Sequence, residues 1–168
     1  FGDAVPDLDD PARLVALAAA LAERRAAGLV TSYHDRADGG LWATVCELAF
    51  AGSTGVQVDV AGVEALFSEE LGVVLGIEPE DASRVLEVLA NHGLGDRSAV
   101  VGRTAPDRRV HVNVAGRSGL DEDLRDLAQA WDEVSWRIAT LRDNPDCATE
   151  EHAGVGADAP GLVVAPAF

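Results

Sequence analysis

The chain has 168 residues, 29 acidic against 13 basic, and a formal net charge of −16 at pH 7, so its surface repels nucleic-acid backbones and anionic membranes. With 48% hydrophobic and 25% charged residues it reads as globular, and its length is that of one domain able to bury a core without staples. Neither nucleic acid nor a membrane is expected as a partner.

All 13 basic residues are arginine. Without lysine the chain can supply no Schiff base, no Walker-type phosphate lysine and no lysine general base. Cys46 and Cys147 are the only cysteines and form no C-x-x-C pair, so neither a zinc ribbon nor a disulfide framework is indicated; a reducing, cytoplasmic setting fits. The apolar run Leu14 to Ala22 is too short to cross a bilayer. The chain starts at Phe1 with no signal-peptide pattern, and we read it as cut from a longer polypeptide.

In chain order, Asp9-Asp10-Pro11 opens a helix that runs through an Ala/Leu-rich stretch to Gly28. Leu29 to Tyr33 is β-prone and delivers the segment His34-Asp35-Arg36-Ala37-Asp38-Gly39-Gly40 as a loop. A second helix follows over Leu41 to Phe50, with Leu41, Val45, Leu48 and Ala49 on one face, and ends at Gly52-Ser53-Thr54-Gly55. Val56 to Val60 alternates as a half-exposed strand does, Ala61 to Phe67 is ambiguous, and Leu71 to Ile77 suits a buried central strand. Pro79-Glu80-Asp81 starts a helix with the stripe Ala82, Val85, Leu86, Leu89 and Ala90. Ser98–Gly102 and Arg109–Val114 flank a Pro106-Asp107 turn and predict a β-hairpin. The apolar residues Leu120, Leu124, Leu127, Trp131, Val134, Ile138 and Leu141 predict one long amphipathic helix, stopped by Asn144-Pro145 and suited to packing across a sheet or an adjoining domain. The order of elements predicts an α/β (α+β) fold, a mixed β-sheet packed with helices, because a hairpin cannot belong to a wholly parallel sheet.

The segment from His34 to Gly40 carries the chemistry. With Asp38 as N-cap, the amides of the two glycines and the helix dipole favour an anion, and Asp35, which no cap requires, could bridge a hard cation to phosphate oxygens. The same pattern also suits a turn capped for structural reasons alone. His34 is read as a hydrogen-bonded structural residue by default, with base or ligand as the alternative. Glu69-Glu70 either brings one carboxylate to the Asp35 loop or forms a solvated strand entrance. His92 suits a helix C-terminus, His111 a hairpin surface, and Trp131 and Trp136 packing; His152 is left to a neighbouring domain. No Ser-His-Asp or Cys-His arrangement and no dinucleotide fingerprint is present.

Several segments together resemble the phosphoribosylformylglycinamidine synthase family, the glutamine-dependent ligases of purine biosynthesis. They are His34 to Leu41, Glu47-Leu48-Ala49-Phe50-Ala51-Gly52, and Leu66-Phe67-Ser68-Glu69-Glu70-Leu71-Gly72. Trp131 to Trp136 with Leu141 to Ala148 and Glu150-Glu151-His152 resembles the long, single-chain form. The resemblance implies a carboxy-terminal domain of the aminoimidazole ribonucleotide synthase-like synthetase core: residues 1–152 one domain, 153–168 a linker toward a glutaminase domain. It implies a parent that converts formylglycinamide ribonucleotide, ATP and glutamine into formylglycinamidine ribonucleotide, ADP, phosphate and glutamate, with Mg2+ and ATP/ADP as cofactors.

Position by position, it implies Asp35 as a magnesium ligand and, at Ala37, where the family usually has serine, a nucleotide contact through the backbone only. The catalytic groups would lie in the remaining synthetase and glutaminase domains, leaving this chain inactive alone, and apolar surface that would meet the missing half could drive it to a homodimer. A stand-alone binding or assembly module with the same fold, or another ATP-using branch of the superfamily, is the alternative.

Overall fold

The structure, a computed structural model, describes residues 10–36 and 38–158; Ala37 and both ends lie outside the described residues. The first helix, α1 (Pro11–Ala26), begins as the sequence predicts, with Pro11 in its first turn and the Asp10 carboxylate accepting from the Ala12 amide at 3.0 Å. It packs on α4 (Ala82–Asn91), which a short 3-10 turn at Pro79–Asp81 precedes. Ala20, Leu29, Val85, Leu89 and Leu94 form the small core between them, so the predicted Val85/Leu89 stripe is the face that is buried.

The main core lies under a four-stranded mixed sheet of β2 (Gly55–Val60), β4 (Gly102–Ala105), β5 (Arg109–Val114) and β6 (Arg117–Asp123), in the spatial order β4-β2-β5-β6. Helices α2 (Gly40–Gly52) and α5 (Leu124–Arg142) cover one face. Val58, Val110, Val112 and Leu124 are almost wholly removed from water. Each such side chain contributes about 1.5–3 kcal/mol by burial, which makes this the cluster that holds the fold.

Four expectations are corrected. The first is the hairpin over 98–114, because β4 and β5 do not pair: β2 lies between them, antiparallel to β4 and parallel to β5. The connection crosses the start of β2, and it can do so because Gly55 has no side chain. A Cβ there would meet the Asp107 carboxylate and the Arg109 backbone at 2.7–2.8 Å. The hairpin that does form is β5–β6, turned by Ala115 and Gly116, both at positive φ (49° and 75°), as tight hairpins require.

The second is the helix expected from Leu120. Arg117–Asp123 is strand β6, and α5 begins only at Leu124, capped by the Asp123 carboxylate on the Arg125 amide at 2.9 Å. Leu120 fits the helical spacing, but its strand pairing with Val112 prevails. Thirdly, Leu71–Ile77 is no central strand. Its ordered part, β3 (Gly72–Gly76), pairs antiparallel with β1 (Ser32–Arg36) alone, all five residues are half-buried, and Leu71 is exposed. One side of this ribbon supplies Val74 to the α2 cluster, which is the burial its apolar character serves.

Lastly, the strand expected over Leu29–Tyr33 is shifted toward the C-terminus, so that His34, Asp35 and Arg36 lie within β1 rather than in a loop. The ambiguous stretch holds one turn of helix, α3 (Glu64–Phe67). Asn144-Pro145 ends α5 as expected and at once opens α6 (Pro145–Gly154), with the Asn144 side chain accepting from the Asp146 and Cys147 amides. That helix runs two residues past position 152, and residues 159–168 of the expected linker lie outside the described residues. Among the described residues no helix is long and apolar enough to cross a membrane.

Candidate functional site

Strand β1 and the start of α2 form a corner, and the motif residues sit on it. Asp35 is opposite Val73 on β3, with its side chain about 70% exposed. Its carbonyl accepts from the Thr44 hydroxyl at 3.5 Å, a group that also donates to Gly40 O at 2.9 Å and is almost fully buried. Backbone and first helical turn are thereby held together, while the Asp35 carboxylate is left facing water.

The expected cap at Asp38 does not form. Gly39 is the N-cap, in a left-handed conformation at φ 83° with no side-chain cap bond, and Asp38 is exposed. In its place Glu69 reaches across from the segment after α3 and accepts from the Gly39 amide at 2.8 Å. Of the two readings of Glu69-Glu70, the one that brings a carboxylate to this corner is therefore the observed one. Arg36 adds a second tie, its Nε donating to Glu70 O at 2.6 Å.

Gly40, at φ 65°, is packed so tightly that a Cβ would lie 2.7–2.9 Å from the Leu66, Phe67 and Ser68 backbones. Gly40 thus serves backbone packing between two chain segments, whereas a Cβ on Gly39 would meet Ala43 Cβ of α2 at 2.7 Å. The anion that the positive end of α2 favours is, in this structure, the Glu69 carboxylate.

His34 is a structural residue, as the default reading has it. Its Nδ1 lies 2.7 Å from Asp35 O and its Nε2 2.8 Å from the Glu47 carboxylate on α2. Glu47 in turn accepts from the Trp131 indole N–H of α5 at 3.1 Å, so one carboxylate joins β1, α2 and α5. Sequence reasoning missed Glu47, Thr44 and the Gly39 contact of Glu69, because each pairs with a residue set by tertiary packing. His152 is likewise ordered within the chain: it stacks on Trp136 with ring centroids 4.5 Å apart and sits 2.7 Å from Asp132. Burial, helped by neighbouring Glu47, pushes the Cys46 thiol up to about 12, so it offers no nucleophile at neutral pH.

Among the described residues no group of three His, Cys, Asp or Glu side chains could hold a metal ion. Asp35 fits as a single carboxylate ligand, which suits a magnesium ion that keeps water and phosphate oxygens for the rest of its shell. Ala37, the expected backbone contact to a nucleotide, lies outside the described residues.

These features define an α/β domain in which a strand carries an exposed aspartate to the glycine-opened start of a helix. The chain belongs to the family described as AIR synthase related protein, C-terminal domain, whose profile matches residues 2–115. Solved structures similar to it include those of Thermotoga maritima PurL. The ATP complex is 25% identical with a TM-score of 0.64 over 73% of this chain, and the FGAR complex is 25% identical with a TM-score of 0.60 over 67%. A third, described as phosphoribosylformylglycinamidine synthase II of the same organism, is 25% identical with a TM-score of 0.63 over 71%. The chain spans only 20–23% of the length of those proteins.

Proposed function

We propose that this chain is a carboxy-terminal domain of the synthetase core of a phosphoribosylformylglycinamidine synthase of the long, single-chain form. In that reading the parent is an ATP-dependent carbon–nitrogen ligase of purine biosynthesis, cytoplasmic, with glutamine as amide donor and formylglycinamide ribonucleotide as substrate. The domain gives structural support and part of a nucleotide site, in which Asp35 is one ligand to Mg2+ and Ala37 offers only its backbone. Residues 1–152 form the domain, and 153–168 lead toward a glutaminase domain. What carries this reading is the Asp35 carboxylate, held by β1 in water beside the start of α2, in a chain that resembles PurL structures solved with ATP and with FGAR.

A single carboxylate supplies a small fraction of the oxygen shell a magnesium ion takes, and the Gly39 amide is already engaged by Glu69. The 168-residue chain is therefore expected to bind Mg-ATP negligibly and to have no ligase activity. Calorimetric titration with Mg-ATP tests this, and tight saturable binding would contradict it. Within the longer protein, Asp35→Asn is expected to weaken retention of Mg-nucleotide, whereas unchanged retention would remove Asp35 from the site. The reading frame on either side of Phe1 and Phe168 is expected to encode the other synthetase domains and the glutaminase. A second reading, a binding or assembly module with this fold, is favoured by one observation, the bare apolar face of α5.

A further inference from the structure

Strand β1 carries Asp35 but buries no side chain of its own. Of Ser32–Arg36, three residues are exposed, and the two that are half-buried, His34 and Arg36, are polar. Apolar packing therefore does little to fix where the strand lies, and polar ties must do it. Arg36 engages Glu70 O at the entrance to β3, which is the strand's own ribbon partner. Toward α2 the Thr44 hydroxyl reaches Asp35 O at 3.5 Å, the outer limit of a hydrogen bond. The short tie is His34, whose Nε2 lies 2.8 Å from Oε2 of Glu47 on α2, a helix anchored in the core by Val45, Cys46 and Ala49.

Glu47 is itself held from two sides. Its Oε1 accepts from the Trp131 indole N–H at 3.1 Å while Oε2 faces His34, so each oxygen has its own partner and the carboxylate has one orientation. On the far side of the imidazole, Nδ1 lies 2.7 Å from Asp35 O, a carbonyl that can only accept, and 3.8 Å from the Asp35 carboxylate. The ring orientation that Glu47 sets is thus felt at both the main chain and the side chain of Asp35.

A binding group serves only when it is held within about 0.5 Å of its working place, and residues that orient a metal ligand typically contribute about 10–100-fold to metal affinity. We infer that Glu47 is a positioning residue, which acts through His34 to hold Asp35 in place for a magnesium ion. Both Glu47 oxygens are engaged within the chain, so its effect is indirect. The inference rests on the reading of Asp35 as a Mg2+ ligand and adds to it the residues that steady this exposed carboxylate on a lightly anchored strand.

The longer protein tests it, with Mn2+ as the probe and electron paramagnetic resonance reading the ion held in the presence of ADP. Asp35→Asn is expected to weaken Mn2+ retention, and Glu47→Leu, which keeps the bulk and loses both acceptors, to weaken it about tenfold. In the Asp35→Asn background Glu47→Leu is expected to have no further effect, because no ligand is left to position. A merely structural role would lower retention alike in both backgrounds. His34→Leu is expected to match Glu47→Leu, and the two together to be no worse than either, so the test stands if one variant fails to fold. Asn144→Ala, weakened at a distant helix cap, is expected to hold Mn2+ in full. Full retention in Glu47→Leu and His34→Leu would overturn the inference while leaving Asp35 a ligand. A loss that persists in the Asp35→Asn background, or one equalled by Asn144→Ala, would do the same. Full retention in Asp35→Asn would instead overturn the reading of Asp35, and this inference with it.

Discussion

At Gly40 the sequence and the structure agree on the residue and differ on the reason. The pair Gly39-Gly40 is visible in the sequence as a place where a phosphate could approach the backbone, yet at Gly40 what approaches is the backbone of Leu66, Phe67 and Ser68. Gly40→Ala is therefore expected to destabilise the chain by about 3 kcal/mol, through both positive-φ strain and overlap with atoms that cannot move aside. Gly28 has a similar φ of 68° but open space around it, so Gly28→Ala should cost only about 1 kcal/mol. Urea denaturation of the two variants separates strain from packing, and equal losses would show that the close approach does not matter. Asp35 stood out in the sequence because no cap required it, and the structure leaves its side chain about 70% exposed. Glu69 was legible as one of two readings, but its partner Gly39 was not, because that partner is 30 positions away and the contact depends on how α3 is placed.

Among the elements, those that the sequence placed best have an unambiguous start. Asp10-Pro11, Pro79 and Asn144-Pro145 each mark a helix boundary that the structure keeps. Asn144 shows the limit of such signals, since a residue read as the end of α5 is also the cap of α6. Replacing it with Ala should lower stability by about 1 kcal/mol, the ordinary value of an N-cap, in chemical denaturation. An unchanged midpoint would mean that the contacts of α6 with α5, through His152 with Trp136 and Asp132, hold it in place without the cap. Strand partners were not legible at this scale. Ser98–Val114 contains two strands and a turn, as a hairpin does, and only the insertion of β2 between them shows that it is none.

For the whole molecule, acid stability is expected to draw on carboxylates held down by paired cations, two by histidines and Asp143 by Arg142. A hydrogen bond from His92 holds Glu23 below its ordinary 4.5, and one from His111 holds Asp107 below its ordinary 3.8. A carboxylate whose folded value is depressed stabilises the fold fully above its ordinary value and loses that contribution as pH falls through the depressed one. Stability is thus expected to fall with acid below about pH 4.5, and His92→Gln with His111→Gln should flatten that fall. Urea midpoints between pH 5 and pH 3 measure it, and identical slopes in the variant would assign acid sensitivity to other groups. The two contacts tie α1 to α4 and the β4–β5 connection to β5, so the loss should be felt in both cores.

Composition, cap residues and helical spacing are properties of neighbours along the chain, and they were enough for an acidic α/β domain, for most helix boundaries and for the segment that bears Asp35. Strand order, the place of Glu69 at Gly39, the link from His34 through Glu47 to Trp131 and the bare half of α5 all join residues that are distant in sequence. Those contacts form only when the sheet closes over its core, because their free energy comes from burial and pairing between segments, which no local pattern encodes.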